Sequence, residues 1–318
     1  MCSPAPSHKG WDERESRPGT PVRGLWQYRP VVNLRAMAEA DLPGAVDVWE
    51  DAFREMSERY GVLRAPRTPA DDLRVRNRLR HFLATDPDGS WVADQDGQVV
   101  GFSQSFVREG HWVLSLLAVV PGSQRRGLGY ELMARALGNA DRNGPGMIQS
   151  SRDPRAMALY ASAGFSLHPA VIGHGTLRSG AVASDPRVRP AEDGDLELVE
   201  AIDRAVRGTA RTVDIAAMLS EPGNRLVVIG DRGYAVVKDD RVVTMGARDE
   251  DAASALLRTA LCNAGEGATF EVGWLTSNQQ WAIATLVAAG VELHPLGAVM
   301  VRGLPGPPTP YIPSGGYG

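Results

Sequence analysis

The chain repeats itself. Leu34-Arg35 is followed, after five residues, by Asp41-Leu42, and Val188-Arg189 is followed at the same spacing by Asp195-Leu196. The two copies also end alike, in Ala163-Gly164-Phe165-Ser166-Leu167-His168-Pro169 and in Ala289-Gly290-Val291-Glu292-Leu293-His294-Pro295. Two matches in the same order point to duplication. Each opening reads as a short strand, a turn with an acidic helix cap, and an amphipathic helix. The repeat predicts a leader at 1–30, a first domain at 31–178, a linker at 179–187, a second domain at 188–303 and a tail at 304–318. The leader is rich in Pro, Gly and charge and is expected to be disordered.

Within the first copy, strands are expected at about 32–36, 90–95, 98–107, 111–120 and 146–151, with a last one from Phe165. Helical patterns cover about 42–58, 69–84, 127–142 and 154–163. Asp96-Gly97 predicts a tight hairpin turn, and Gly164 a helix C-terminal cap. The second copy places strands near 225–230, 232–238, 241–247 and 269–274, and helices near 194–206, 250–264 and 278–289. The class is α/β (α+β), a mixed sheet flanked by helices.

The length of 318 residues suits two ordinary domains. An apolar fraction of 43% can bury a normal core, so no staple is required. Cys2 and Cys262 read as reduced structural thiols. The six histidines (His8, His81, His111, His168, His174 and His294) show no ligand spacing, so no metal is expected. The net charge of −4 argues against a nucleic-acid partner. No apolar run could span a bilayer, and the first residues lack a signal-peptide core. A cytoplasmic protein without membrane association is the expectation.

The segment with most chemistry follows the strand ending Ala118-Val119-Val120-Pro121. Gly122-Ser123-Gln124-Arg125-Arg126-Gly127-Leu128-Gly129 leads into a helix that continues Tyr130-Glu131-Leu132. The first N–H groups of a helix lack internal partners and favour an anion. Gly127 and Gly129 let a ligand approach the backbone closely, and Arg125 and Arg126 add positive charge. Alone, these residues leave two readings open, a phosphate-binding turn and a glycine-containing helix start with solvated arginines.

Residues 116–165 resemble the GNAT acetyltransferase superfamily. That family's signature is Gln/Arg-x-x-Gly-x-Gly/Ala after a strand and a Pro turn, then Asn-x-x-Ala-x-x-Leu-Tyr-x-x-x-Gly-Phe. Here the second part reads Asp153-Pro154-Arg155-Ala156-Met157-Ala158-Leu159-Tyr160-Ala161-Ser162-Ala163-Gly164-Phe165, departing only at Asp153. The resemblance implies two tandem GNAT-like domains, each a mixed, mostly antiparallel twisted sheet. It implies direct transfer of an acetyl group from acetyl-CoA to a small-molecule or peptide amine, without a metal. The turn Gln124, Arg125, Arg126, Gly127, Leu128, Gly129 and Tyr130 would hold the CoA pyrophosphate. Leu117, Ala118 and Val119 would pair with the pantetheine arm. Tyr160 would protonate the departing thiolate, its plainer role being a core aromatic. Asp153 would stand where an Asn usually contacts the arm, and a carboxylate cannot donate there.

The resemblance leaves the general base open. The strand position that often carries a glutamate is Ile148, beside Gln149. Glu55, Glu58 and His111 are the substitutes, each with an alternative role as a solvated surface residue, and a water chain to bulk solvent is a further route. A non-catalytic acyl-CoA sensor and a transferase of a longer acyl group stay as competing readings, and a homodimer is compatible with the family.

Aligned on its ending, the second copy puts Leu286 at the place of Tyr160 and Gln279 at that of Asp153. Its turn, near Met245-Gly246-Ala247-Arg248-Asp249-Glu250-Asp251, lacks the glycine pair and carries three acids, which repel a pyrophosphate. A degenerate copy without a CoA site is expected. The Pro- and Gly-rich tail cannot form a helix or central strand. Its Tyr and Ile either dock on the body or stay in a disordered end.

Overall fold

A computed structural model describes residues 32–61, 67–124, 127–141, 144–178, 180 and 182–318. The expected leader and Arg125 and Arg126 lie outside the described residues. The first half runs β1 (Val32–Ala36), α1 (Leu42–Tyr60), α2 (Pro69–Thr85), β2 (Ser90–Gln95), β3 (Gln98–Arg108), β4 (His111–Val119), α3 (Leu128–Ala136), β5 (Gly146–Ser150), α4 (Pro154–Ser162) and β6 (Ser166–Thr176). The second runs β7 (Val188–Pro190), α5 (Asp195–Arg207), α6 (Thr212–Leu219), β8 (Arg225–Ile229), β9 (Gly233–Lys238), β10 (Arg241–Ala247), α7 (Glu250–Ala264), β11 (Thr269–Leu275), α8 (Gln280–Ala288) and β12 (Glu292–Arg302). The tail adds β13 (Tyr311–Ile312).

The repeated Arg and Asp have one job in both halves. Arg35 on β1 forks onto Asp41 at 2.7 and 2.8 Å, and Asp41 accepts the Ala38 N–H at 2.7 Å. Arg189 on β7 forks onto Asp195 at 2.7 and 3.0 Å, and Asp195 accepts the Glu192 N–H at 2.7 Å. Each pair ties the first strand to the helix that follows it, through bidentate charge-assisted bonds. Asp96 and Gly97 both have positive φ, at 54° and 82°, as the hairpin reading requires. Helix α6 is an element the sequence reading missed, as are strands β12 and β13. The helix is eight residues long, and its N-terminus has no side-chain cap to announce it.

The strands form one sheet in the order β1-β2-β3-β4-β5-β12-β6-β11-β10-β9-β8-β7, with β13 attached to β10. Among the described residues, only β4–β5 and β10–β11 are parallel. The halves exchange their final strands: β12 pairs with β5 of the first half, β6 pairs with β11 of the second, and β6 and β12 pair with each other. The sequence boundary at 179–187 therefore does not separate two closed sheets.

Alternation along the strands assigns the faces. Leu42, Ala45 and Val46 of α1 and Val75 and Leu79 of α2 pack with Val92, Phe102, Leu116 and Ala118. On the opposite face Met133 and Ala136 of α3 and Tyr160 of α4 pack with Leu114 and Ile148. The second half repeats this with α7 and α8 on one core and α5 and α6 on another. The α5–α6 core also takes Phe82, Phe106 and Val113 from the first half, so the seam is itself core. No helix among the described residues is long and apolar enough to cross a membrane.

Candidate active site

Strands β4 and β5 part company after one turn of pairing. Their register covers Trp112–Gly146, Val113–Met147 and Leu114–Ile148 and stops there. Ser115 is the extra residue of a bulge against β3, where Gln104 pairs with Leu116 and Ser105 with Leu114. A bulge increases twist and re-aims the residues beyond it. The Val120 N–H bonds Val100 O at 3.0 Å, on the β3 side. Antiparallel alternation then turns the backbone groups of Leu117 and Val119 to the vacated side.

A cleft of about 390 Å³ lies along this edge. Leu117, Ala118, Val119, Gln124, Gly127, Gly129, Tyr130, Asp153 and Tyr160 all line it, so the sequence-selected residues come together from β4, the turn, α3 and α4. Leu128 differs: its side chain is buried with Val119 and Leu132 in the core, leaving only its backbone for a ligand. Gly127 takes φ 82° as the residue before α3, and no side chain caps that helix. The amides of Leu128 and Gly129 are therefore left without helical acceptors. A Cβ on Gly129 would meet the Leu117 and Leu159 methyls at 4.0 Å, on the cleft wall.

The polar side of the cleft is a chain of bonds that centres on Arg155. Gln124 Nε2 donates to Val119 O at 3.0 Å. Arg155 donates to Gln124 Oε1 at 2.7 Å and from Nε to Asp153 Oδ1 at 2.9 Å. Tyr60 of α1 donates to the same Oδ1 at 3.3 Å, and Glu55 stands 3.8 Å from Arg155. Burial pushes the Asp153 pKa up, but the Arg155 bonds outweigh it and hold the carboxylate below its ordinary range. Asp153 also accepts the Arg155 N–H at 2.9 Å as the cap of α4. Sequence reasoning missed Arg155 and Tyr60. Arg155 fills an unspecified position of the motif, and Tyr60 approaches from a distant helix.

Tyr160 is 5% exposed and lines the cleft, and its hydroxyl has no hydrogen-bond partner among the described residues. Burial, with the Asp153 charge beside it, raises its pKa well above the usual phenol value, so it is a neutral donor. The base candidates separate cleanly. Glu55 lines the cleft. The Glu58 side chain is 69% exposed and is not part of the lining. His111 is 2% exposed and away from the cleft. Burial, then Arg207 and Arg211, push its pKa down to about 3. Ile148 faces the Tyr160 core, and both amide atoms of Gln149 are buried without partners among the described residues.

The second half has the same architecture with the opening filled. Val243 is the bulge residue, between Val242–Val237 and Thr244–Val236. Met245 and Gly246, the counterparts of Leu117 and Ala118, pair with Ile312 and Tyr311 of β13. Ala247 N–H donates to Pro310 O at 3.1 Å. Gln279, at the place of Asp153, donates to Tyr311 O at 3.1 Å and Pro308 O at 3.0 Å. The helix after β10 is capped by its own Asp249, which accepts the Ala252 N–H at 2.9 Å, and Leu286 is fully buried in the core. The tail is thus a strand of the molecule, and the Asp249 carboxylate stands at the start of α7.

A parallel strand pair that splays beside the start of α3 leaves an open strand edge next to unpaired helix amides. Residues 48–165 match the Acetyltransferase (GNAT) family. No curated protein matches the sequence. A solved structure of a putative acetyltransferase from Pyrococcus horikoshii is similar over 90% of this chain and 96% of its own, at 19% identity and a TM-score of 0.72. A GCN5-related N-acetyltransferase from Kribbella flavida covers 86% and is itself 71% covered, at 20% and 0.51. A tandem GNAT protein from the clavulanic acid biosynthesis pathway covers 87% and is itself 100% covered, at 17% and 0.53. At these identities the likeness establishes the tandem fold. The family match over residues 48–165 supports acyl transfer as the chemistry.

Proposed function

We propose that the chain is an N-acetyltransferase that moves an acetyl group from acetyl-CoA directly to an amine, at one site per chain in the cytoplasm. Residues 32–178 form the catalytic half and 188–303 a half that binds no CoA. The open edge of β4 carries this reading, because the equivalent edge of β10 is occupied by the protein's own strand.

The pantetheine arm pairs with Leu117 and Val119, whose outward N–H groups hold the thioester oxygen as charge develops. The pyrophosphate sits on the amides at the start of α3, with Arg125 and Arg126 supplying charge. The amine attacks the thioester carbonyl, and Tyr160 gives its proton to the departing sulfur. The Tyr160 hydroxyl suits that task because it is neutral and committed to no other acceptor. Glu55 is the carboxylate placed to take the amine proton. The acceptor is a small-molecule or peptide amine, and no metal takes part.

Calorimetric titration is expected to give one acetyl-CoA per chain, lost on replacing Gly127 and Gly129 by Glu. Two sites would overturn the one-site reading. Tyr160→Phe is expected to lower kcat by about 10²-fold, with KM for acetyl-CoA within about threefold. Unchanged kcat would remove Tyr160 from the chemistry.

A further inference from the structure

A second cavity, of about 280 Å³, lies where α2 meets β10, β11 and the tail. Its lining shares no residue with the cleft along β4. The volume is room for roughly nine waters at about 30 Å³ each, so a small molecule fits.

Three donors converge on it without partners. Arg78 makes no hydrogen bond or ion pair among the described residues, and its Nε is shut off from solvent. Lys238, half-buried on the opposite wall, also has no carboxylate within ion-pair distance among the described residues. Trp274 Nε1 has no acceptor among the described residues either, although Trp274 lines the cavity. The other two cations are neutralised, Arg74 by Asp71 at 2.7 Å and Arg241 by Asp240 at 2.7 Å. The lining holds two acids, Glu271, which stands 3.4 Å from Arg241, and Glu221, which has no ion pair among the described residues, so one unpaired carboxylate faces two unpaired cations.

The backbone is bent to build this arrangement. Trp274 has φ 60°, in the left-handed region that a bulky side chain avoids. It sits where the β11–β6 register slips between Val272 and Leu275. Backbone strain of this kind gathers at ligand sites. The tail closes over the result. A Cβ on Gly316 would overlap an Arg78 terminal nitrogen, and one on Gly315 would stand 3.0 Å from Trp274 Nε1. The glycine pair therefore lets the tail lie flat on both donors. Arg78 is half-buried, and the loss of water around it drives its pKa down against the opposing pull of Tyr317 and Glu221.

We propose that this cavity is an anion site, holding the carboxylate or phosphate group of a small metabolite between Arg78, Lys238 and the Trp274 indole N–H. The site belongs to the half that has lost its cofactor slot. It stands whether or not the β4 cleft takes acetyl-CoA.

The test titrates the full chain with inorganic phosphate, acetate, succinate and citrate at fixed ionic strength, by calorimetry and by thermal shift against sodium chloride. At least one probe is expected to bind saturably, and which one separates phosphate from carboxylate. Lys238→Gln is expected to weaken that probe at least about tenfold, or ~1.4 kcal/mol, while leaving the acetyl-CoA titration unchanged. Arg78→Met is expected to abolish it, yet without anion to be as stable as wild type, because the variant deletes a half-buried charge that has no ion pair among the described residues. A scaffolding arginine would instead lose stability on that change. If no probe saturates, or if a bound probe ignores Lys238→Gln, the proposal is overturned. The Lys238→Gln arm decides it even where Arg78→Met does not accumulate.

Discussion

At the scale of single residues, the cleft depends on Arg155, which ties Asp153 and Gln124 together. Asp153 departs from the family's usual Asn, and the structure supplies the compensation two residues later. Replacing Arg155 by Gln frees a carboxylate inside a site proposed for an anionic ligand. KM for acetyl-CoA is expected to rise about tenfold, ~1.4 kcal/mol of binding, with kcat little changed. An Asp153→Asn, Arg155→Gln double variant is expected to recover most of that loss. No recovery would show that Arg155 acts on the ligand itself. His111 gives a separate, pH-dependent expectation. Its pKa is near 3 in the folded chain and about 6.5 unfolded. Its contribution is complete above about pH 6.5 and declines as pH falls toward 3, because only the unfolded state takes the proton. Between pH 7.5 and 5.0 wild type is expected to lose about 2 kcal/mol more than His111→Gln, measured by urea midpoints. Equal losses would refute the assignment. The motif residues of this cleft were legible in the sequence because they are local and spaced by a turn and a helix. The partners of Asp153 were not, since Tyr60 reaches it across 93 positions.

At the scale of elements, the informative comparison is between the edges of β4 and β10. Both follow a bulge, and both leave a parallel neighbour. One is free and the other is filled by β13. Pro310 and Pro313 predict that the tail cannot be a central strand, which holds: β13 is two residues long and pairs on one side only. What the sequence could not show is that a ready-made slot awaited it. Tyr311 is fully buried, with its hydroxyl on Gly318 O at 2.6 Å. Tyr311→Ala is expected to cost about 3–5 kcal/mol, read from the unfolding midpoint. It should not create a second acetyl-CoA site, because Asp249 still caps α7. Two sites in Tyr311→Ala would mean that the tail alone blocks the second half.

At the scale of the whole molecule, duplication predicted two similar halves and gave no hint that they exchange strands. The partners of β6 and β12 are set by the sheet register. The exchange makes the seam a core. It is sealed by Asp214 of α6, fully buried, which accepts from Arg108 at 2.8 and 2.9 Å and contacts His81 Nε2 at 2.7 Å. Burial raises the Asp214 pKa, but these two partners from the first half outweigh it and keep the carboxylate ionised. Asp214→Asn leaves Arg108 with Asp86 alone, and breaking such a buried pair costs about 3–5 kcal/mol. Because no strand boundary isolates the halves, that loss cannot stay in the second one. Far-UV circular dichroism and acetyl-CoA binding are expected to disappear at one common urea concentration in wild type, and at one lower common concentration in the variant. If binding in the variant outlasts the loss of circular dichroism, the halves unfold independently and the shared sheet is not what couples them.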